Sequence, residues 1–263
     1  MSKVREIIKE IEKVAPKFLK EDYDNVGMMV GDEDTEVKKV LMALDCTKEV
    51  IEEALSLKCE LIITHHPLFF RKPNSIVKGN LTGDKVLKLI KNDINLYACH
   101  TNLDSAENGI NKAVVDMLGY KSSSIMDPNK RKGYENCGIG RIVKLDEAAE
   151  LNDVIDNVKK KLNIKNLRVA RGCEKVNTIA IINGSGQDFF GMAKSMGADC
   201  IITGDTTYHF VSDYKEMGIS IIDAGHFGTE YSVFLKTLEF LKNEFKDVEF
   251  IKSKESKDPY EFI

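Results

Sequence analysis

The chain has 263 residues, of which 43% are hydrophobic and 30% charged, with 38 Lys plus Arg against 42 Asp plus Glu for a net charge of −4. That length and apolar content exclude a disordered chain and suffice for one large α/β domain or two smaller ones. The near-balanced charge gives no general electrostatic pull towards nucleic acid, although a local basic patch is compatible with it.

Ser2 to Lys20 is charged throughout, so no secretory signal is expected, and no apolar run approaches the roughly 20 residues of a membrane helix. The expected location is cytoplasmic. The six cysteines form no closely spaced pair and several lie inside apolar runs, which reads as reduced and structural.

In chain order, Val4, Ile7, Ile8, Ile11 and Val14 recur at helical spacing and predict an amphipathic helix over 3–15 stopped by Pro16. Asp24 to Gly31 reads as a turn and an edge strand. Then follow a strand at 39–45, a helix at 48–57, a strand at 60–64, a helix near 83–92, a strand at 94–99 and a helix at 105–118. Strands alternating with helices imply βαβ units and a parallel sheet. The same order returns: a strand at 176–183, a helix at 188–196, a strand at 199–203, a helix around 209–217, a strand at 219–223, a long helix at 230–245 and a last strand around 248–252.

The return is an internal duplication. A shift of 139 brings Ile62, Ile63 and Thr64 onto Ile201, Ile202 and Thr203, and a shift of 126 brings His100 onto His226 and Asp104 onto Glu230. The 13 extra residues of the first copy fall in Phe69 to Leu81. The expected fold is therefore α/β: two similar, duplicated α/β domains with mainly parallel sheets, at 1–120 and 176–263. A small α+β insert is expected at 121–175, with a strand at 137–144, a helix at 148–162 and a strand at 166–170.

The chain has only five histidines, and they gather at strand ends: His65 and His66 in Ile62-Ile63-Thr64-His65-His66-Pro67, then His100, His209 and His226. Neutral imidazole is the commonest metal ligand. Adjacent histidines serve one cluster only where the strand has ended, and Pro67 favours such a corner. His100 and His226 are each followed four residues on by a carboxylate, Asp104 and Glu230. Either acid alone has a structural alternative. Asp104-Ser105-Ala106-Glu107 is a capping box pattern, and Glu230 starts a helix with the core stripe Phe234, Leu238, Leu241 and Phe245. Their equivalent places in the two copies weigh towards a metal site.

Nitrogen and oxygen donors without thiolate suit zinc, iron, manganese or nickel. Two ions about 3.5–4 Å apart favour hydrolysis, by activating water and holding developing negative charge. His209 has two open readings, a helix-start histidine or a proton-transfer group. Gly133, Gly138 and Gly140 with Arg141 are either turn residues or a phosphate contact. Lys130-Arg131-Lys132 and Lys159-Lys160-Lys161 are either solvated faces or nucleic-acid contacts.

Asp24-Asn25-Val26-Gly27 through Gly31, Thr64-His65-His66-Pro67, His100-Thr101-Asn102-Leu103-Asp104 and Gly225-His226-Phe227-Gly228-Thr229-Glu230 stand together in this order. In these motifs the chain resembles, over nearly its whole length, the NIF3-like family, whose bacterial and archaeal members are known as GTP cyclohydrolase 1 type 2 homologues. The resemblance implies two similar α/β domains around a dinuclear metal site, with two divalent ions per chain. His65, Asp104 and Glu230 would hold one ion, and His66, His226 and Glu230 the other, with Glu230 bridging and His100 beside the pair. Glu230 and His100 are the residues expected to carry catalysis. It also implies a homo-oligomer, a hexameric ring, and a small-molecule substrate such as GTP or a related heterocycle. The competing expectation is a non-catalytic ring that binds nucleic acid or a protein partner, with structural metals. A third is metal storage or delivery.

Overall fold

The computed structural model describes residues 1–263 and divides them into two compact units, Met1–Leu103 with Phe234–Lys257, and Asp104–Val233 with Asp258–Ile263. The first unit opens with α1 (Val4–Val14), which buries Val4, Ile7, Ile8 and Ile11 and ends before Pro16. Strand β1 (Gly27–Val30) follows, then β2 (Lys39–Ala43), α2 (Lys48–Leu57), β3 (Leu61–Thr64), α3 (Leu81–Lys91), β4 (Asn95–Ala98) and the short helix α4 (Thr101–Ser105). Thr47 caps α2 and Asn80 caps α3 through side-chain oxygens that accept main-chain N–H bonds.

The second unit contributes α5 (Ile110–Leu118), β5 (Ser124–Pro128), β6 (Gly138–Glu150), α6 (Leu151–Leu162), β7 (Arg168–Ala170) and β8 (Lys175–Ser185). It continues through α7 (Phe190–Ser195), β9 (Cys200–Gly204), α8 (Tyr208–Glu216), β10 (Ser220–Asp223) and α9 (His226–Thr237). From Phe234 to Lys257 the chain is part of the first unit again, adding α10 (Leu241–Glu244) and β11 (Glu249–Lys252).

The first sheet has the order β1-β4-β3-β2-β11, with β11, β2, β3 and β4 parallel and β1 antiparallel on β4. Strands β3 and β4 are buried along their whole length, which accounts for their mainly apolar, non-alternating sequence. The second sheet has the order β5-β6-β8-β9-β10-β7. Its centre, β8-β9-β10, is parallel, and the flanking strands pair antiparallel. The run β2-β3-β4 with β1 antiparallel on β4 thus matches the run β8-β9-β10 with β7 antiparallel on β10. This is the duplication seen at the level of topology.

Three boundaries differ from the sequence expectation. Residues 121–175 are not a separate body: β5 and β6 extend the second sheet beyond β8, and β7 covers its opposite edge at β10. Bare sheet edges are thereby covered by neighbouring sequence. The helix expected at 105–118 breaks into α4 and α5, with Gly109 as the cap of α5. The helix expected at 230–245 begins earlier, at His226, and breaks after Thr237, although the stripe of Phe234, Leu238 and Leu241 stays buried across the break. All six cysteines are free thiols, and no helix is long and apolar enough to cross a membrane.

Candidate metal centre

The first unit gathers three of the five histidines. Strand β3 ends at Thr64, and the chain runs on beside β2 through His65 N–H to Ala43 C=O and His66 N–H to Leu44 C=O. The Thr64 hydroxyl donates to the His66 carbonyl at 2.8 Å and closes the corner. The rings of His65 and His66 consequently lie side by side, centroids 5.0 Å apart, with His100 at 5.1 and 5.5 Å from them. One ligand atom from each of the three falls within 4.8 Å of the others.

His100 is positioned by Asn102, whose Oδ1 accepts its N–H and whose Nδ2 donates to the Ala15 carbonyl at the end of α1. Asp24 Oδ1 lies 2.9 Å from His100 Nδ1, and Asp24 Oδ2 accepts from the Thr101 N–H and hydroxyl. Burial pushes the Asp24 carboxyl upward. The hydrogen bond and charge of His100 pull it down and, with Thr101 and Asn25, prevail, leaving it at about 2.

The second unit gathers two carboxylates and a fourth imidazole. Asn183, at the end of β8, donates from Nδ2 to Asp104 Oδ1 and to Glu230 Oε1, each at 2.9 Å. His226 Nε2 stands 3.0 Å from Glu230 Oε2 across one turn of α9. Neither acid is a cap. Asp104 lies inside α4 and Glu230 in the second turn of α9. Gly184 makes room for Glu230, because a Cβ there would stand 2.2 Å from Oε1, and its φ of +58° also favours glycine.

The donors fit metal binding through their outer partners. His65 Nδ1 is 2.9 Å from the Cys99 carbonyl, which only accepts, so the ring proton sits on Nδ1 and Nε2 keeps its lone pair. His66 Nδ1 meets Asp45 Oδ1 at 2.9 Å and His226 Nδ1 meets Asp205 Oδ2 at 2.8 Å. An acceptor behind each Nδ1 is the arrangement that orients imidazole ligands and raises their basicity.

His209 stands apart: it is exposed on α8, beside Tyr208. Arg141 is buried and donates to the carbonyls of Gly138, Gly140, Ala106 and Glu107, so it ties main chain together and leaves nothing for a phosphate. The residues that sequence reasoning missed are Asn183, Gly184, Asp45 and Asp205. The shift of 139 sets Asp45 against Gly184 and His66 against Asp205, so the repeat changes residue type at these places and did not single them out.

The sequence profile of Duf34/NIF3 (NGG1p interacting factor 3) matches residues 2–259. The chain belongs to the Duf34/NIF3 family. Among its relatives, a GTP cyclohydrolase 1 type 2 homolog of Clostridium perfringens is 54% identical over 99% of this chain and all of its own length. The protein of the same name from Clostridium acetobutylicum is 48% identical, covering 99% of this chain and 98% of that one. The crystal structure of the hypothetical protein SA1388 from Staphylococcus aureus superposes with a TM-score of 0.89 at 33% identity, covering 99% of each chain. Reduced HcgD from Methanocaldococcus jannaschii does so with a TM-score of 0.82 at 32% identity, over 96% of this chain and 98% of the other. In this Duf34/NIF3 chain His65, His66 and His100 form a candidate metal-binding group in one unit, and His226 and Glu230 stand together with Asp104 near by in the other.

Proposed function

We propose that this protein is a metal-dependent hydrolase of nucleotide-like or heterocyclic substrates, built on a dinuclear centre to which both clusters contribute. The observation that carries the reading is the set of imidazoles whose Nδ1 atoms are held by a carbonyl or a carboxylate, leaving Nε2 as the ligand atom. His65, Asp104 and Glu230 would hold one ion, and His66, His226 and Glu230 the other. Within the first unit, Phe234 packs its ring 5.7 Å from His65 and backs the histidine corner. Paired divalent ions supply water activation at neutral pH and hold negative charge that develops on the substrate.

The chain's own residues supply the remainder. Asn183 keeps two carboxylates in fixed orientation by donating one amide hydrogen to each. His100, oriented by Asp24, is placed to take or deliver a proton. Phe70 stands edge-on to His100, centroids 5.6 Å apart, with 50% of its surface exposed, and offers a face for a planar ring. Asn25 anchors that loop by donating to the Phe69 carbonyl at 2.8 Å. GTP and pterin-like heterocycles are the first substrates to try, and a homo-oligomeric ring is part of the same reading.

The test is elemental analysis of protein purified without chelator, followed by turnover assays with the metal found. About two transition-metal ions per chain, lost in His65→Ala and Glu230→Gln, with hydrolysis of at least one such substrate, is the expected result. Fully metallated protein inert towards every nucleotide and pterin would sink the hydrolase reading.

A further inference from the structure

Between β7 and α8 of the second unit lies a cleft of about 530 Å3, lined by none of the proposed metal ligands. Such a volume falls within the roughly 300–1,000 Å3 typical of small-molecule sites. The cleft exists because β7 is only three residues long and α8 buries none of its residues, so helix and edge strand do not close on each other. Its floor is apolar, with Val169 and the buried Ile221. Its rim carries Arg168, Arg171 and Lys215 against one carboxylate, Asp223.

Asp223 is already committed. It accepts from the Thr206 N–H and hydroxyl at 3.0 and 2.6 Å and from the Gly225 N–H at 3.0 Å, and it pairs with Arg168. Its charge is therefore met within the wall, where Arg168 Nη2 also donates to the Thr206 carbonyl. Arg171 donates to the neutral amide oxygen of Asn152, and neither it nor Lys215 meets a carboxylate. The rim is left with a net positive charge facing solvent. Tyr208, 80% exposed at the start of α8, lines the same cleft. A tyrosine so exposed gains nothing for the fold, whereas beside a cationic rim it offers a stacking face.

We propose that this cleft binds a small planar molecule carrying a phosphate, of the nucleoside monophosphate class. The phosphate meets Arg168, Arg171 and Lys215, and the ring system lies on Tyr208 over Val169 and Ile221. Guanidinium groups suit phosphate through paired N–H donors. The site does not depend on the hydrolase reading.

The experiment is calorimetric titration of the full chain with guanosine monophosphate, adenosine monophosphate and pyrophosphate, with and without excess chelator. The variants are Lys215→Glu and Tyr208→Ala, both at exposed positions, each checked by thermal unfolding and size-exclusion chromatography. Expected are saturable binding of a monophosphate that survives chelation, at least tenfold weaker binding in Lys215→Glu, and a similar loss in Tyr208→Ala with pyrophosphate binding unchanged. Absence of saturable monophosphate binding overturns the proposal. So does binding that chelation abolishes and Lys215→Glu leaves intact, which would put the nucleotide at the metal centre. A Lys215-dependent preference for an RNA oligomer over the monophosphates, or a change of oligomeric state in Lys215→Glu, overturns it as well, in favour of a polymer or a second copy.

Discussion

Gly184 and Glu230 are fitted to each other: the missing Cβ at Gly184 leaves the space that Oε1 of Glu230 occupies, 2.2 Å from where that carbon would be. Gly184→Ala must displace the carboxylate and also hold alanine at φ +58°. It is expected to lose at least half its bound metal and about 1–2 kcal/mol of stability. Elemental analysis and denaturant unfolding measure the two effects.

Asn183→Asp replaces the donor between Asp104 and Glu230 with a third acceptor. Without metal, the variant is expected to be less stable by about 1–3 kcal/mol, from lost hydrogen bonds and like charge. A divalent cation relieves both, so the rise in melting temperature on adding metal should exceed that of the native chain. An equal rise in the two proteins would show that Asn183 does not set the charge balance of this pair.

Asp45 and Asp205 touch no proposed ion but hold His66 and His226 through Nδ1. Asp45→Ala and Asp205→Ala should each weaken metal binding about 10–100-fold. Competition with a chromogenic chelator reads this directly, and unchanged affinity would make the pairs incidental.

The pH dependence of the metal-free protein follows from Asp24. Its folded pKa of about 2 lies below the ordinary 3.8, so its contribution is fully present above the ordinary value and is lost as the pH falls through the folded one. On the order of 2 kcal/mol should disappear between about pH 4 and pH 2. Asp24→Asn should flatten that limb. Unfolding by urea across the window checks it, and an identical limb in the variant would assign the loss elsewhere.

Phe70 tests the substrate side. Phe70→Ala should leave metal content unchanged and raise KM for a heterocyclic substrate about tenfold, with kcat altered much less, since a stacking face binds ground and transition states alike. Steady-state kinetics separates the two constants.

Much of this was legible in the sequence because it is written in period and punctuation. The alternation of strand and helix, the histidine corner ahead of Pro67 and the repeated step from histidine to carboxylate are local patterns, and the structure keeps them. The partners of the imidazoles were not legible, since Asp45 meets His66 across 21 residues and Asn183 meets Asp104 across 79. Such pairs exist only once strands are set side by side. The start of α9 was missed for another reason: Gly225, His226 and Gly228 are poor helix formers, and tertiary packing overrides that preference. The separateness expected of 121–175 failed because polar turns at its ends look the same whether they bound a domain or join strands of one sheet.

The return of the chain to its first unit has a consequence for biosynthesis. Strand β11 pairs with β2, and the Leu44 N–H donates to Ser256 Oγ across 212 residues. Phe234, whose ring backs His65, arrives equally late. On a ribosome working from the N-terminus, the first sheet waits with β2 as an open edge until nearly the whole chain has emerged. The histidine corner therefore stays incomplete until late in synthesis. Removal of β11 would strip an edge strand from the N-terminal unit while leaving every strand of the second sheet in place.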